Sequence, residues 1–279
     1  MSRLDDTIRT TLKKTGMMDG AAQYLFKIAK HHLKKRLASD AGLQSQIDRL
    51  ERLSSIKTHY AHTSYTDEHA LLHLKLYLGQ LTRNLESRLK LDGYNPATST
   101  ILDVGDPDGL VLESVGSTRS FSVNILEACT RQILEHRGNP AQGDCEHLPF
   151  PDGSFDYVFC FETFEHLENP IQGLKDLCRV CKRKLFVAIP WVKRTTIHED
   201  NYTQDQPGPE HHIFEFDSSD FARIVSHTSF KISYYDQMEM FPPIYNPIHS
   251  TLLRRFYYSA FFPAFQFYEL VPKASPRPR

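Results

Sequence analysis

Two groups of residues in this sequence have the types and spacing that chemistry needs. In Glu162-Thr-Phe-Glu165-His166 the polar side chains stand at i, i+3 and i+4, so one helical turn would place all three on one face. Downstream, Glu210-His-His-Ile-Phe-Glu-Phe216 adds His212. Carboxylates and imidazoles that titrate near neutrality can take a proton from a reacting group, which makes Glu165, His166 and His212 the candidate catalytic residues. The second group is Ile101-Leu-Asp-Val-Gly-Asp-Pro-Asp-Gly109, in which an apolar strand ends at Asp103 and a tight loop carries Gly105 and Gly109. Ligands of open α/β sheets sit beyond the carboxyl ends of the strands, and glycines let a backbone approach them closely.

That loop lacks the G-x-G-x-x-G spacing of dinucleotide sites. Asp106 and Asp108 would repel a pyrophosphate but tolerate a cofactor carrying a sulfonium and an ammonium. Cys178-x-x-Cys181 has neither a second pair nor a nearby histidine, so it reads as incidental on a surface helix rather than as a zinc site.

The elements that must position these groups follow from periodicity. Leu71, Leu74, Leu78, Leu81, Leu85 and Leu89 recur at three- and four-residue steps, which predicts a helix over 67–91. An earlier amphipathic helix carries Leu25, Ile28, Ala29, Leu33 and Leu37 on one face, with Lys27, Lys30, Lys34, Lys35 and Arg36 between them. It reads as a solvated face, with an anionic partner as the alternative. After the turn-rich break at 93–99, strands are expected at 100–104, 120–125, 157–161, 184–189, 230–235 and 265–271. Helices are expected between them at 110–114, 127–136, 171–180 and 218–226. This alternation predicts a mostly parallel sheet covered on both faces. The expected division is a helical N-terminal extension, residues 1–94, followed by an α/β domain, residues 95–279.

With 40 % apolar residues, 24 % charged residues and a formal net charge of −1, composition makes no global case for a polyanionic partner. Five cysteines in 279 residues form no disulfide framework and suit a reducing compartment. Neither a signal peptide nor an apolar run of spanning length is evident, so a cytoplasmic enzyme is expected.

The segment Gly143-Asp-Cys-Glu-His-Leu-Pro-Phe-Pro-Asp-Gly-Ser-Phe-Asp-Tyr-Val158, following the Asp-x-Gly loop, resembles the class I S-adenosylmethionine-dependent methyltransferases, with a methyltransferase type 11-like domain over about residues 95 to 240. The resemblance implies a Rossmann-like, doubly wound sheet with an antiparallel last strand, and S-adenosyl-L-methionine as cofactor. By position it implies that Asp103, Gly105 and Gly109 line the methionine end. Asn124 would stand where an acid usually meets the ribose, Asp144 and Cys145 would address the adenine, and Phe161 would lie beside the cofactor. Pro107 and Asn124 depart from the usual pattern and open a silent, non-catalytic alternative. Glu-x-x-Glu-His with a later His-x-Phe-Glu also resembles a metal-dependent O-methyltransferase branch that includes small-RNA 2′-O-methyltransferases. There Glu162, Glu165, His166 and His212 would be ligands, although the expectation adopted is that no metal binds. The expected function is methyl transfer to an unidentified oxygen or nitrogen acceptor, with a small molecule or lipid favoured over RNA.

Overall fold

The computed structural model describes residues 17–62, 68–136, 138–197, 212–240 and 264–274. Its centre is a seven-stranded sheet, built from β1 (Ile101–Val104), β2 (Ser120–Asn124), β3 (Pro140–Gln142), β4 (Phe155–Phe161), β5 (Cys181–Pro190), β8 (Phe230–Glu239) and β9 (Ala264–Pro272), in the order β3-β2-β1-β4-β5-β9-β8. The first five strands in that order run parallel, and β9 inserts antiparallel between β5 and β8. A two-stranded ribbon, β6 (Thr196–Ile197) with β7 (Phe214–Glu215), stands apart from the sheet. The mostly parallel sheet is what the alternating pattern predicts, and the doubly wound order with an antiparallel last strand is what the resemblance implies. All four residues of β1 are buried, as are the last six of β5. Continuous rather than alternating apolar runs are what a sheet covered on both faces requires.

Each face has its own core. On one side α7 (Pro170–Val180) and α8 (Ser218–Ser226) place Leu174, Leu177, Phe221 and Val225 against Val158, Cys160, Leu185, Val187 and Tyr268. On the other lies α4 (Glu68–Leu91), whose leucines at 74, 78, 81, 85 and 89 join Tyr157, Phe159, Phe186 and Phe267 in one cluster. Helices α1 (Met17–Ser39), α2 (Ala41–Leu50) and α3 (Ile56–His62) extend that cluster through Ile28, Leu33, Leu43, Ile47 and Ile56. The Asp40 side chain caps α2 by accepting from the Leu43 N–H. On α1 the lysines at 27, 34 and 35 are exposed, as a solvated face requires.

The direction of α4 matters for function. Its C-terminal end is tied to the beginnings of the strands, where Tyr157 Oη donates to Asp92 at 2.8 Å and Arg88 pairs with the buried Glu269. Its Tyr77 packs on Phe265, whose ladder partner is Pro190 at the carboxyl end of β5, with ring centroids 4.3 Å apart. The helix therefore runs antiparallel to the parallel strands and delivers its N-terminal half to the edge where ligands bind in such sheets.

Three expectations are corrected. Strand β3 was not foreseen, because three residues are too few to show a period. β8 runs on to Glu239, because its pairing with β9 continues to Ala264. Cys178 and Cys181 are buried rather than on a surface, and Cys181 begins β5. His198 and residues 241–263, the greater part of the aromatic-rich stretch, lie outside the described residues.

Candidate active site

The loop after β1 is held in place by its own side chains. Gly105 and Gly109 both adopt positive φ, +89° and +84°, which an L side chain takes only with strain. Asp106 turns inward, where Oδ1 accepts from the N–H groups of Asp108 and Gly109 and Oδ2 accepts from the Ser122 hydroxyl. Those bonds occupy the amides at the start of α5 (Leu110–Ser114). Asp108, fully buried, meets His59 Nδ1 of α3 at 2.8 Å. Asp106 and Asp108 thus order the loop instead of facing a ligand, which corrects the expectation that they would present open charge there. Replacing His59 by alanine would leave a buried carboxylate oxygen without this partner, at a cost of about 1–3 kcal/mol, readable as a lowered urea midpoint.

Asn124 ends β2 at the ribose position, but its amide is already committed. Nδ2 donates to the carbonyls of Gly105 and Asp106 at 3.1 and 3.0 Å, and Oδ1 accepts from the Leu126 N–H. An aspartate there could not donate to two carbonyls, so the departure from an acid follows from a loop that needs a donor. The Gly105 N–H donates to the Val123 carbonyl and the Gly143 N–H to the Asn124 carbonyl, so the loops after β1 and β3 flank one strand end. Asp144 is exposed and Cys145 is buried beneath it. Pro107 removes an N–H from the loop, and the Asp106 carboxylate supplies the order that a third glycine turn would otherwise provide.

Asp103 is 3 % exposed, and among the described residues nothing hydrogen-bonds its carboxyl. Burial first, then the neighbouring Asp106 and Asp108, push its pKa well above the ordinary range. Such a group awaits a cation.

Beyond β4 the chain turns sharply. Glu162 takes φ +48°, the one positive φ found at a non-glycine among the described residues, and backbone strain of this kind concentrates at working sites. A single 3-10 turn, Phe164–His166, follows in place of the helix that the spacing suggested. It brings Glu165 and His166 to His212, which stands two residues before β7. One donor atom from each of these three lies within 4.8 Å of the others. The fourth residue that the spacing put beside them, Glu162, stands outside this group; burial first, and then the nearby Glu165, push its pKa well above the ordinary range. His212 Nδ1 meets Glu215 Oε1 at 2.9 Å, which orients the ring so that Nε2 faces Glu165 Oε1 at 3.9 Å. The rings of His166 and His212 meet edge to face, 5.0 Å apart.

Neither oxygen of Glu165 has a hydrogen-bond partner, nor has Glu162 Oε1. Burial, only partly offset by His212, pushes Glu165 up to about 7. Burial would lower His212, but Glu215 and Glu165 outweigh it and hold the ring above its usual value. Among the described residues no lysine or arginine pairs with Asp103, Glu162 or Glu165. The edge is therefore a concentration of buried acid that suits positively charged ligands, whether a sulfonium, an ammonium or a divalent cation with oxygen and imidazole donors. Phe161 stacks on Phe159 and Phe267 and forms an aromatic floor beside it.

Periodicity and motif spacing gave no sign of two neighbours of this edge. Thr163 packs so tightly on Gly105 that an added Cβ would overlap it. Tyr77 reaches the acids from α4. An aromatic with a polar tip inside a leucine stripe was the available signal.

Residues 102–189 match the family model described as a methyltransferase domain. A methyltransferase named GfsG, from Streptomyces halstedii, is 26 % identical over 110 residues, covering 37 % of this chain and 40 % of the relative, so the match spans less than half of that protein. The magnesium protoporphyrin IX methyltransferase of Synechocystis PCC 6803, solved with bound SAH, superposes with a TM-score of 0.50 at 14 % identity, over 72 % of this chain and 86 % of that one. The [4+2]-cyclase SpnF superposes with a TM-score of 0.50 at 15 % identity, over 70 % and 81 %. A fold shared with a cyclase shows that architecture alone does not fix the chemistry, which rests on the site. The match to a methyltransferase domain thus falls on the central segment, residues 102–189, which runs from β1 to β5 and carries most of this site.

Proposed function

We propose that the protein transfers a methyl group from S-adenosylmethionine to a hydroxyl oxygen, and that Glu165, His166 and His212, joined by Glu162, hold a divalent cation beside that hydroxyl. The observation that carries this reading is the convergence of three ligating groups around a carboxylate with both oxygens buried and unpaired. S-Adenosylmethionine would supply an activated methyl on a good leaving group. The domain match supports that cofactor, as does the fit of the buried, unpartnered Asp103 to a positively charged methionine end. A bound cation would position the acceptor hydroxyl and favour loss of its proton.

The remaining work belongs to residues of the chain. Gly105 and Gly109 let the backbone approach the cofactor, while Asn124 holds that loop open in one shape. Cys145 and Phe161 offer apolar walls, and exposed Asp144 can meet an amino edge. Glu215 orients His212 toward Glu165. Glu165, poised at about 7, can take a proton at neutral pH. Alignment of nucleophile, methyl and sulfur in a dry site supplies much of the acceleration. A small-molecule or lipid hydroxyl suits this acid-rich edge better than a phosphodiester chain, which it would repel. All five cysteines are free and no helix among the described residues is long and apolar enough to cross a membrane, which supports a cytoplasmic setting.

Calorimetric titration with S-adenosylhomocysteine and, separately, with Mn²⁺ tests the reading. Both should bind the wild-type protein. Binding of the nucleoside without Mn²⁺ would leave Glu165 as a metal-free base, and binding of neither would sink the proposal. Methylation of an RNA 3′ end in the same assay would replace the acceptor class.

A further inference from the structure

Tyr77 on α4 brings a polar tip among the acids of the active site. It is 6 % exposed, its ring is fixed against Phe265, and its hydroxyl is buried with no hydrogen-bond partner. The hydroxyl lies beside the Glu162 carboxyl and within electrostatic reach of Glu165 and Asp103. A buried phenol normally finds a partner, because leaving it unpaired forfeits its hydration. Here the unpaired donor and the Glu162 carboxyl, whose Oε1 is also unpaired, are neighbours, with Glu162 held at a strained φ. A donor and an acceptor so placed are complementary.

We infer that Tyr77 is a positioning residue of this site, donating its hydroxyl proton in a hydrogen bond to Glu162 and thereby fixing that carboxylate as the fourth donor to the cation. The inference rests on the cation reading given above. It also makes α4 part of the working site, although every reacting group named so far comes from the α/β domain. The chemistry matches what outer partners of metal ligands do, which is to orient a first ligand and set its basicity.

The test is Tyr77→Phe, which keeps the ring on Phe265 and removes one oxygen. Mn²⁺ affinity, read by titration, should fall about 10–100-fold. S-Adenosylhomocysteine affinity should stay unchanged, and the metal-free melting temperature should stay equal or rise, because a buried unpaired hydroxyl has gone. In a Glu162→Ala background the same change should weaken Mn²⁺ no further, since the carboxylate that the bond positions is already gone. Mn²⁺ affinity unchanged in Tyr77→Phe would overturn the inference alone. So would a parallel loss of Mn²⁺ affinity, nucleoside affinity and melting temperature, which marks a merely structural residue. Failure of the wild-type protein to bind Mn²⁺ would overturn the cation reading and this inference with it.

Discussion

Glu165→Gln is expected to abolish Mn²⁺ binding and to lower methyl transfer about a hundred- to ten-thousand-fold, while making the metal-free protein more heat-stable at alkaline pH. The first part follows from the position of Glu165 at the centre of the three-residue group, where glutamine keeps the volume but loses the charge that a cation requires. The second follows from the sign of the pKa shift. The folded carboxyl stays protonated up to about 7, against the 4.5 of an unperturbed glutamate. Between those values the native state holds a proton that the unfolded chain has released, so stability falls as pH rises through that window. Glutamine carries no such penalty. Melting curves of wild type and variant should therefore coincide at about pH 4, separate progressively between about pH 4.5 and 7, and stay apart above that, with the variant higher. The same linkage makes Mn²⁺ affinity of the wild-type protein rise with pH up to the neutral region, because the cation needs the ionised form. A variant that melts lower than wild type at every pH would show instead that Glu165 is a structural group.

Gly105→Ala is expected to destabilise the fold by about 2–5 kcal/mol and to abolish nucleoside binding. Its φ of +89° strains any L side chain. The new Cβ would also overlap Thr163 Oγ1 and lie 2.7 Å from both Thr163 Cβ and Cγ2. Thr163 cannot easily yield, since its hydroxyl donates to the Phe161 and Val104 carbonyls and so joins the ends of β4 and β1. It also precedes the turn that carries Glu165 and His166. One methyl group therefore disturbs the loop after β1 and the acid cluster together. Urea unfolding and titration with S-adenosylhomocysteine check both effects. Normal nucleoside affinity in a stably folded Gly105→Ala protein would refute the placement of the methionine end at this loop.

Much of this was legible before any coordinates. Strand and helix positions follow from runs and periods, and α5 and α8 begin and end where the pattern placed them. The leucine stripe of 74–89 announced a buried face. Asp103, Gly105 and Gly109 were legible because a strand-ending acid followed by glycines is a local signal. The convergence of Glu165, His166 and His212 was readable as a spacing only in part. A helical face was the natural inference from i, i+3 and i+4, yet a positive φ at Glu162 and a single 3-10 turn achieve the meeting instead.

The sequence by itself determined what depends on neighbours along the chain: the elements, the doubly wound order of layers, the glycine loop and the acid-rich turn. The tertiary structure alone decided that Asp106 and Asp108 face inward, that Asn124 is a loop donor, and that α4 runs antiparallel to β4 so that Tyr77 stands beside Glu162 across 85 residues of chain. The physical reason is that periodicity fixes which face of an element is buried, whereas pairing between distant polar groups depends on how whole elements are oriented and registered against each other.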